Sequence, residues 1–211
     1  MKISLINGSQ KTGESNTGLI LERLKGYINQ SYEIKIFNCG LKQLSNETLN
    51  EIISDDVIVL IFPLFVHSIP SNTLKLLIEF ENILKIQRKE NLIMYTVVNN
   101  GFFEGKQNNI AFEIIKNWCE QTGVIFGGGI GQGAGEMISR TKHLPKERDL
   151  FKSLACALQI LAESIELIKP MEVKYLTPNF PKFLWRFMAV RNWNSLAKSN
   201  GLTKKDILKR L

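Results

Sequence analysis

Cysteine is scarce. The chain carries three, Cys39, Cys119 and Cys156, odd in number, far apart, and in neither metal nor redox spacing. Buried free thiols are the expectation. Long apolar runs are missing too: none approaches the roughly 18 residues of a membrane-spanning helix. The opening MKISLINGSQ lacks the apolar core and small-residue cleavage site of a signal peptide, so a cytoplasmic protein is expected. No internal repeat or low-complexity linker breaks the chain. With 211 residues, 44% of them apolar and 22% charged, one well-buried core is the default.

The body of the chain also lacks an excess of either charge. Residues 1–169 hold 18 Lys or Arg against 18 Asp or Glu, whereas residues 170–211 hold 9 against 2, which accounts for the whole net charge of +7. A dedicated nucleic-acid binder would carry a basic stripe along its folded domain, so no nucleic-acid partner is expected.

What is present is an alternation of short apolar runs and helical periods. Strands are expected at 3–6 (ISLI), 32–37 (YEIKIF, alternating as an edge strand does), 55–63 (DDVIVLIFP), 91–101 (NLIMYTVVNNG) and from 123 into the glycines of GVIFGGGIGQGAGE. Between them helices are expected at about 16–29, 44–53, 70–84 and 107–121, with a last one at 150–168 stopped by Pro170. Five such repeats specify an α/β fold, a five-stranded doubly wound parallel sheet in the order 2-1-3-4-5, spanning residues 1–169. Residues 170–211 then form a helical, aromatic and basic C-terminal extension. Ligands of such sheets lie beyond the carboxyl ends of the strands, beside strands one and three.

Three loops face that crevice. NGSQKTGESNT at 7–17 sets small hydroxyl and amide side chains before a helix, whose N-terminus offers unpaired N–H groups and a partial positive charge. Ser9, Ser15, Asn16 and Thr17 add donors there, and together they read as a phosphate cradle that needs no metal. Ser15 or Asn16 acting only as a helix cap would explain one residue of the set. The GxxxxGK[ST] pattern is absent, which argues against a P-loop nucleotidase. PLFVHSIPS at 63–71 is apolar where a strand-to-helix turn is usually polar. A flat aromatic ligand resting on Pro63, Leu64, Phe65 and Val66 would account for this, as would simple packing of Phe65 on the helix behind it. His67 is either a proton donor or an ordinary surface residue. In NNGFFEGKQNN at 99–109, Asn99 and Asn100 can both donate and accept, which suits a heterocycle edge carrying carbonyl and N–H groups. Gly129, Gly131 and Ala134, with Asp149 twenty residues beyond Gly129, fit a dinucleotide fingerprint on spacing alone. That fingerprint belongs to the first strand of a βαβ unit, so a glycine loop at the edge of a substrate pocket is the expected role.

The three loops resemble those of the flavodoxin-like NAD(P)H-dependent FMN reductases and quinone reductases. GSQKTGESNT is similar to the family's phosphate loop, FPLFVHSIPSNTLKLLIE to its strand-three loop, and NNGFFEGKQN to its strand-four loop, over roughly residues 1–168. The resemblance implies a flavodoxin-like FMN-binding domain and a hydride passing from NAD(P)H through bound FMN to a small acceptor such as a quinone, flavin or nitro or azo compound. It implies that Ser9, Lys11, Ser15, Asn16 and Thr17 hold the phosphate, Pro63 to Val66 the ring, and Asn99, Asn100, Gly101 and Phe102 the pyrimidine edge. Lys11 stands where many members have arginine, keeping the charge without the bidentate grip. No catalytic acid or base and no metal is implied, because the cofactor carries the chemistry. A flavodoxin-type carrier that docks protein partners is the alternative.

In the extension, residues 178–193 (PNFPKFLWRFMAVRNW) place five aromatics in sixteen residues beside Lys182, Arg186 and Arg191. Three readings stay open: the segment wraps on its own domain, packs on a second subunit in a homodimer, or lies on an anionic membrane surface. The closing LTKKDILKRL reads as a short solvated helix capped by Thr203.

Overall fold

A computed structural model of the chain describes residues 1–40, 42–87, 89–141, 150–203 and 206. Asp149 and most of the closing 202–211 run lie outside the described residues.

The strands are β1 (Lys2–Asn7), β2 (Glu33–Asn38), β3 (Val57–Pro63), β4 (Ile93–Asn99), β5 (Ile125–Gln132) and β6 (Lys174–Leu176). The helices are α1 (Asn16–Lys25), α2 (Asn46–Ser54), α3 (Ser71–Ile86), α4 (Asn109–Thr122), α5 (Ile138–Thr141), α6 (Lys152–Glu166) and α7 (Lys182–Ser199). Local chemistry sets several boundaries. The Ser15 hydroxyl accepts from the Gly18 N–H at 3.0 Å to start α1, and the Ser45 hydroxyl accepts from the Thr48 N–H at 3.2 Å to start α2. Helix α4 ends at Gly123, whose φ of 77° is the left-handed cap that glycine adopts without a Cβ penalty.

All strands run parallel, in the order β2-β1-β3-β4-β5-β6. β3 and β4 are buried almost throughout, as their unbroken apolar sequences require when both sheet faces are covered. Ile58, Leu60 and Phe62 pack with Leu49, Leu76, Phe80 and Ile115 of α2, α3 and α4. Tyr95 serves the other face, its hydroxyl donating to the carbonyl oxygens of Ser164 and Lys169, each at 2.8 Å, at the end of α6.

The sheet has six strands, not the expected five, and its order gains an edge strand beyond β5. The glycine string explains the addition. A Cβ on Gly128 would lie 1.9 Å from the Met171 carbonyl oxygen, and one on Gly131 2.9 Å from Tyr175 Cδ1, so only glycine lets residues 171–176 lie this close to β5. Gly129 is equally constrained, a Cβ there falling 1.8 Å from Thr96 O where the β4–β5 register shifts. The glycines at 127–129 and 131 are therefore strand positions of β5, and the pocket is lined from this part of the chain by Glu136, beyond the strand.

The chain forms two compact units, Met1–Pro178 and Asn179–Leu211. β6 lies past the expected boundary at residue 169 and belongs to the first. The second is α7 and its cap: Gly201, at φ 73°, lets the Leu202 N–H donate to the Ala197 carbonyl at 2.8 Å. Helix α7 buries none of its residues, and Phe183, Phe187, Val190 and Trp193 are exposed on it. No described helix is long and apolar enough to cross a membrane.

Candidate active site

At the carboxyl ends of β1, β3 and β4 the three loops close around a pocket of about 220 Å³. Its lining includes eleven of the thirteen residues expected to hold a cofactor: Ser9, Lys11, Ser15, Asn16, Thr17, Pro63, Leu64, Phe65, Asn99, Asn100 and Gly101. Val66 and Phe102 are not among them.

The first loop is held by contacts that leave its donors pointing outward. Gly8 donates from its N–H to Ile61 O at 2.7 Å, and a Cβ there would fall 2.7 Å from Phe62 Cβ and 2.8 Å from Thr73 Oγ1, so the chain can leave β1 here only as glycine. Ser9 donates its N–H to Asn7 Oδ1 at 3.0 Å and accepts from the Lys11 N–H at 3.3 Å. Ser9 and Ser15 thus use their hydroxyl oxygens as acceptors, and neither hydroxyl hydrogen has an acceptor among the described residues. The N–H groups of Asn16 and Thr17, in the first turn of α1, are likewise without partners there. Two other side chains are spent elsewhere: Thr17 Oγ1 donates to Asn99 Oδ1 at 3.1 Å, and Asn16 Oδ1 accepts from the Ser139 N–H at 2.8 Å, joining α1 to α5. Burial pushes the Cys39 thiol beside this loop up to about 11, which disfavours the thiolate.

The second loop reverses in two residues. Phe65 and Ser68 exchange N–H to carbonyl bonds of 3.0 Å each, with Val66 and His67 between them at φ 47° and 64°. A turn with both central residues in the left-handed region is normally Asn-Gly or Gly-Gly, and for other residues such conformations cost about 1–3 kcal/mol each. This turn puts Phe65 on the pocket and Val66 at the tip, 95% exposed, which is why Val66 does not line the site. His67 stacks on Phe102, ring centroids 4.3 Å apart at 27°, so Phe102 sits on the rim.

The third loop is tied to the second at its base, where the Leu64 N–H donates to Asn99 O at 2.8 Å. The Asn100 side chain donates to Glu104 O at 3.3 Å, but its Oδ1 is buried without a hydrogen-bond partner. A buried amide oxygen left unpaired is costly, about 1–3 kcal/mol.

No protein-family model matches the chain, and no curated protein matches its sequence. Solved structures do match. A short-chain flavodoxin associated with a PDU bacterial microcompartment superposes with a TM-score of 0.56 at 11% identity, over 80% of this chain and 100% of its own. An FMN-dependent NADH-azoreductase from Bacillus anthracis str. Ames Ancestor, solved in complex with FMN, gives 0.54 at 14% over 78% and 99%. An NADPH-quinone reductase from P. pentosaceus gives 0.56 at 13% over 77% and 98%. The fold is flavodoxin-like.

Within this flavodoxin-like sheet one pocket residue went unnoticed in the sequence. Glu136 lines the site from the segment after β5, delivered there by a tight approach: a Cβ on Gly135 would lie 2.8 Å from Asn99 Nδ2. The only signal was the glycine string just before it. Lys11 and Glu136 are the charged residues of the lining, so the cradle relies on oriented N–H and O–H donors more than on net positive charge.

Proposed function

We propose that this protein is an FMN-dependent oxidoreductase that passes a hydride from NAD(P)H to a small acceptor such as a quinone, a flavin or a nitro or azo compound. The observation that carries the reading is the two-ended donor pattern of the pocket. One end offers two hydroxyl hydrogens and two helix N–H groups beside Lys11, the pattern a phosphomonoester needs; the other is lined by the amide side chains of Asn99 and Asn100, a residue type that both donates and accepts, as a pyrimidine edge needs.

The residues present fit the cofactor. Ser9, Ser15 and the α1 N-terminus would hold its phosphate, with Lys11 adding a charge; Pro63, Leu64 and Phe65 would form an apolar wall for its ring; and Asn99, Asn100 and Gly101 would meet the pyrimidine edge. Bound FMN would supply the redox chemistry of hydride transfer. The chain's own part is to orient the ring, to keep water from the face covered by Leu64 and Phe65, and to fix Asn99 through Thr17. The flavodoxin-like fold of the azoreductase and quinone reductase neighbours supports this reading.

The test is the absorption spectrum of protein purified without added flavin, followed by titration with FMN and with riboflavin. A flavin spectrum, or FMN bound more tightly than riboflavin, is expected; failure to bind either overturns the reading. Anaerobic addition of NADPH and NADH then separates a reductase, whose flavin bleaches, from an electron carrier, whose flavin does not.

A further inference from the structure

The tips of the second and third loops are joined in a way that the cofactor reading does not use. At their bases these loops share a backbone hydrogen bond, Leu64 N–H to Asn99 O. At their tips they meet through the His67–Phe102 stack, with ring centroids 4.3 Å apart and planes 27° apart. That stack secures a turn whose backbone is unfavourable. Val66 and His67 are both left-handed, neither is glycine, asparagine or aspartate, and Val66 is β-branched, the kind of residue least suited to positive φ. Val66 cannot repay the strain by burial, because it is the exposed tip. Strain of this kind persists where neighbouring structure over-determines it. The turn's own two hydrogen bonds close it, and the imidazole on the Phe102 ring is a contact that reaches outside it.

The consequence falls on Phe65. It is the first residue of the turn, it lines the pocket, and it is 45% exposed, so packing alone does not fix it. The second anchor of the stack, Phe102, directly follows Gly101, which also lines the pocket and has open space where a Cβ would stand.

We infer that His67 is a positioning residue: by stacking on Phe102 it latches the strained Phe65–Ser68 turn, holding Phe65 as the wall against which a flat aromatic ligand rests. The inference rests on the reading of this pocket as a flavin site. What the latch needs from His67 is a flat ring, not a proton.

The test compares His67→Ala, His67→Phe and Phe102→Ala with the unaltered chain. Without ligand, amide hydrogen exchange at Phe65 and Ser68 reports on the turn itself. Loss of the stack in His67→Ala and Phe102→Ala is expected to speed that exchange about 3- to 10-fold, while His67→Phe keeps the ring pair and the slow exchange. In FMN titrations the two alanine variants are expected to bind about 3- to 10-fold more weakly, with His67→Phe within about twofold of the unaltered chain. Unchanged exchange in His67→Ala overturns the latch. Equal loss in His67→Phe and His67→Ala overturns it in favour of imidazole chemistry. Faster exchange with unchanged FMN affinity overturns the positioning role. If the unaltered chain binds no FMN, the flavin reading of the pocket fails and takes the positioning role with it, while the exchange data still decide whether the turn is latched.

Discussion

Thr17 Oγ1 donates to Asn99 Oδ1 across 3.1 Å, and both residues are buried, at 1% and 6% exposure. This bond joins the first turn of α1 to the end of β4, and so couples the first loop of the pocket to the third. It also means that the Thr17 hydroxyl hydrogen is already committed. The hydroxyls of the first loop are therefore not equivalent.

Thr17→Val keeps the shape and removes the donor, leaving Asn99 Oδ1 buried and unpaired. Stability is expected to fall by about 1–3 kcal/mol, measured as a lowered urea midpoint at unchanged slope. FMN affinity is expected to fall less than it does on loss of either serine hydroxyl. A larger loss of FMN than in the serine variants would show that Thr17 serves the ligand directly.

Ser9→Ala and Ser15→Ala each remove a free hydroxyl hydrogen from the cradle. Because hydrogen bonds to charged groups are worth about 1.5–3 kcal/mol, each is expected to weaken FMN binding by roughly 10- to 100-fold while leaving riboflavin affinity nearly unchanged. Ser15→Ala also uncaps α1 and is expected to lose about 1 kcal/mol of stability. Fluorescence titration with the two flavins reads the first effect and urea unfolding the second.

Gly135→Ala places a methyl group 2.8 Å from Asn99 Nδ2 and 2.9 Å from its Cβ. Since the clash is with a pocket residue, FMN affinity is expected to drop together with stability, the latter by about 1–3 kcal/mol. Gly13→Ala is the contrast at the other end of the site. There the space is open, but φ is 92°, so the strain is confined to the backbone of the loop.

Asp55 gives a pH signature. Burial raises its carboxyl above the ordinary value, against the opposing hydrogen bond donated by the Ser4 hydroxyl at 2.6 Å. A carboxyl raised in the folded state contributes stability that is fully present below its unfolded value and is lost as pH rises through its folded value. The unaltered chain is therefore expected to lose stability relative to Asp55→Asn as pH rises through and above the ordinary carboxylate range, because the amide still accepts from Ser4 and carries no charge to bury. Urea midpoints of both proteins across that range check the sign.

Thiol reactivity should divide unequally. Cys39 and Cys119 are buried, and burial pushes their thiols up to about 11 and about 12, whereas Cys156 is exposed. One thiol is expected to react rapidly with a disulfide reagent in the folded protein, and all three in urea.

Much of this site could be read in the sequence because the rule behind it is local. Continuous apolar runs made β1, β3 and β4 legible, and a parallel sheet then fixed which loops share a crevice, so eleven of the thirteen expected residues line one pocket. β6 was not legible: three residues carry no period, and the partner that makes them a strand is a run of glycines whose purpose is visible only against Met171 and Tyr175. Val66 and His67 do not spell a left-handed turn. That conformation is bound up with tertiary contacts, so the sequence shows neither that Val66 stands at an exposed tip nor that a ring pair forms beside it.

The order of apolar and polar residues determined by itself that the chain would build a parallel sheet with polar loops over its carboxyl edge, since burial of both faces leaves those strands few other arrangements. The tertiary structure alone decided how the loops divide their other groups: Thr17 to Asn99, Asn16 to Ser139, Glu136 into the pocket. Those assignments depend on hydrogen bonds and close approaches between residues far apart in the chain, one of them separated by 82 positions, and no local pattern encodes a distance of that kind.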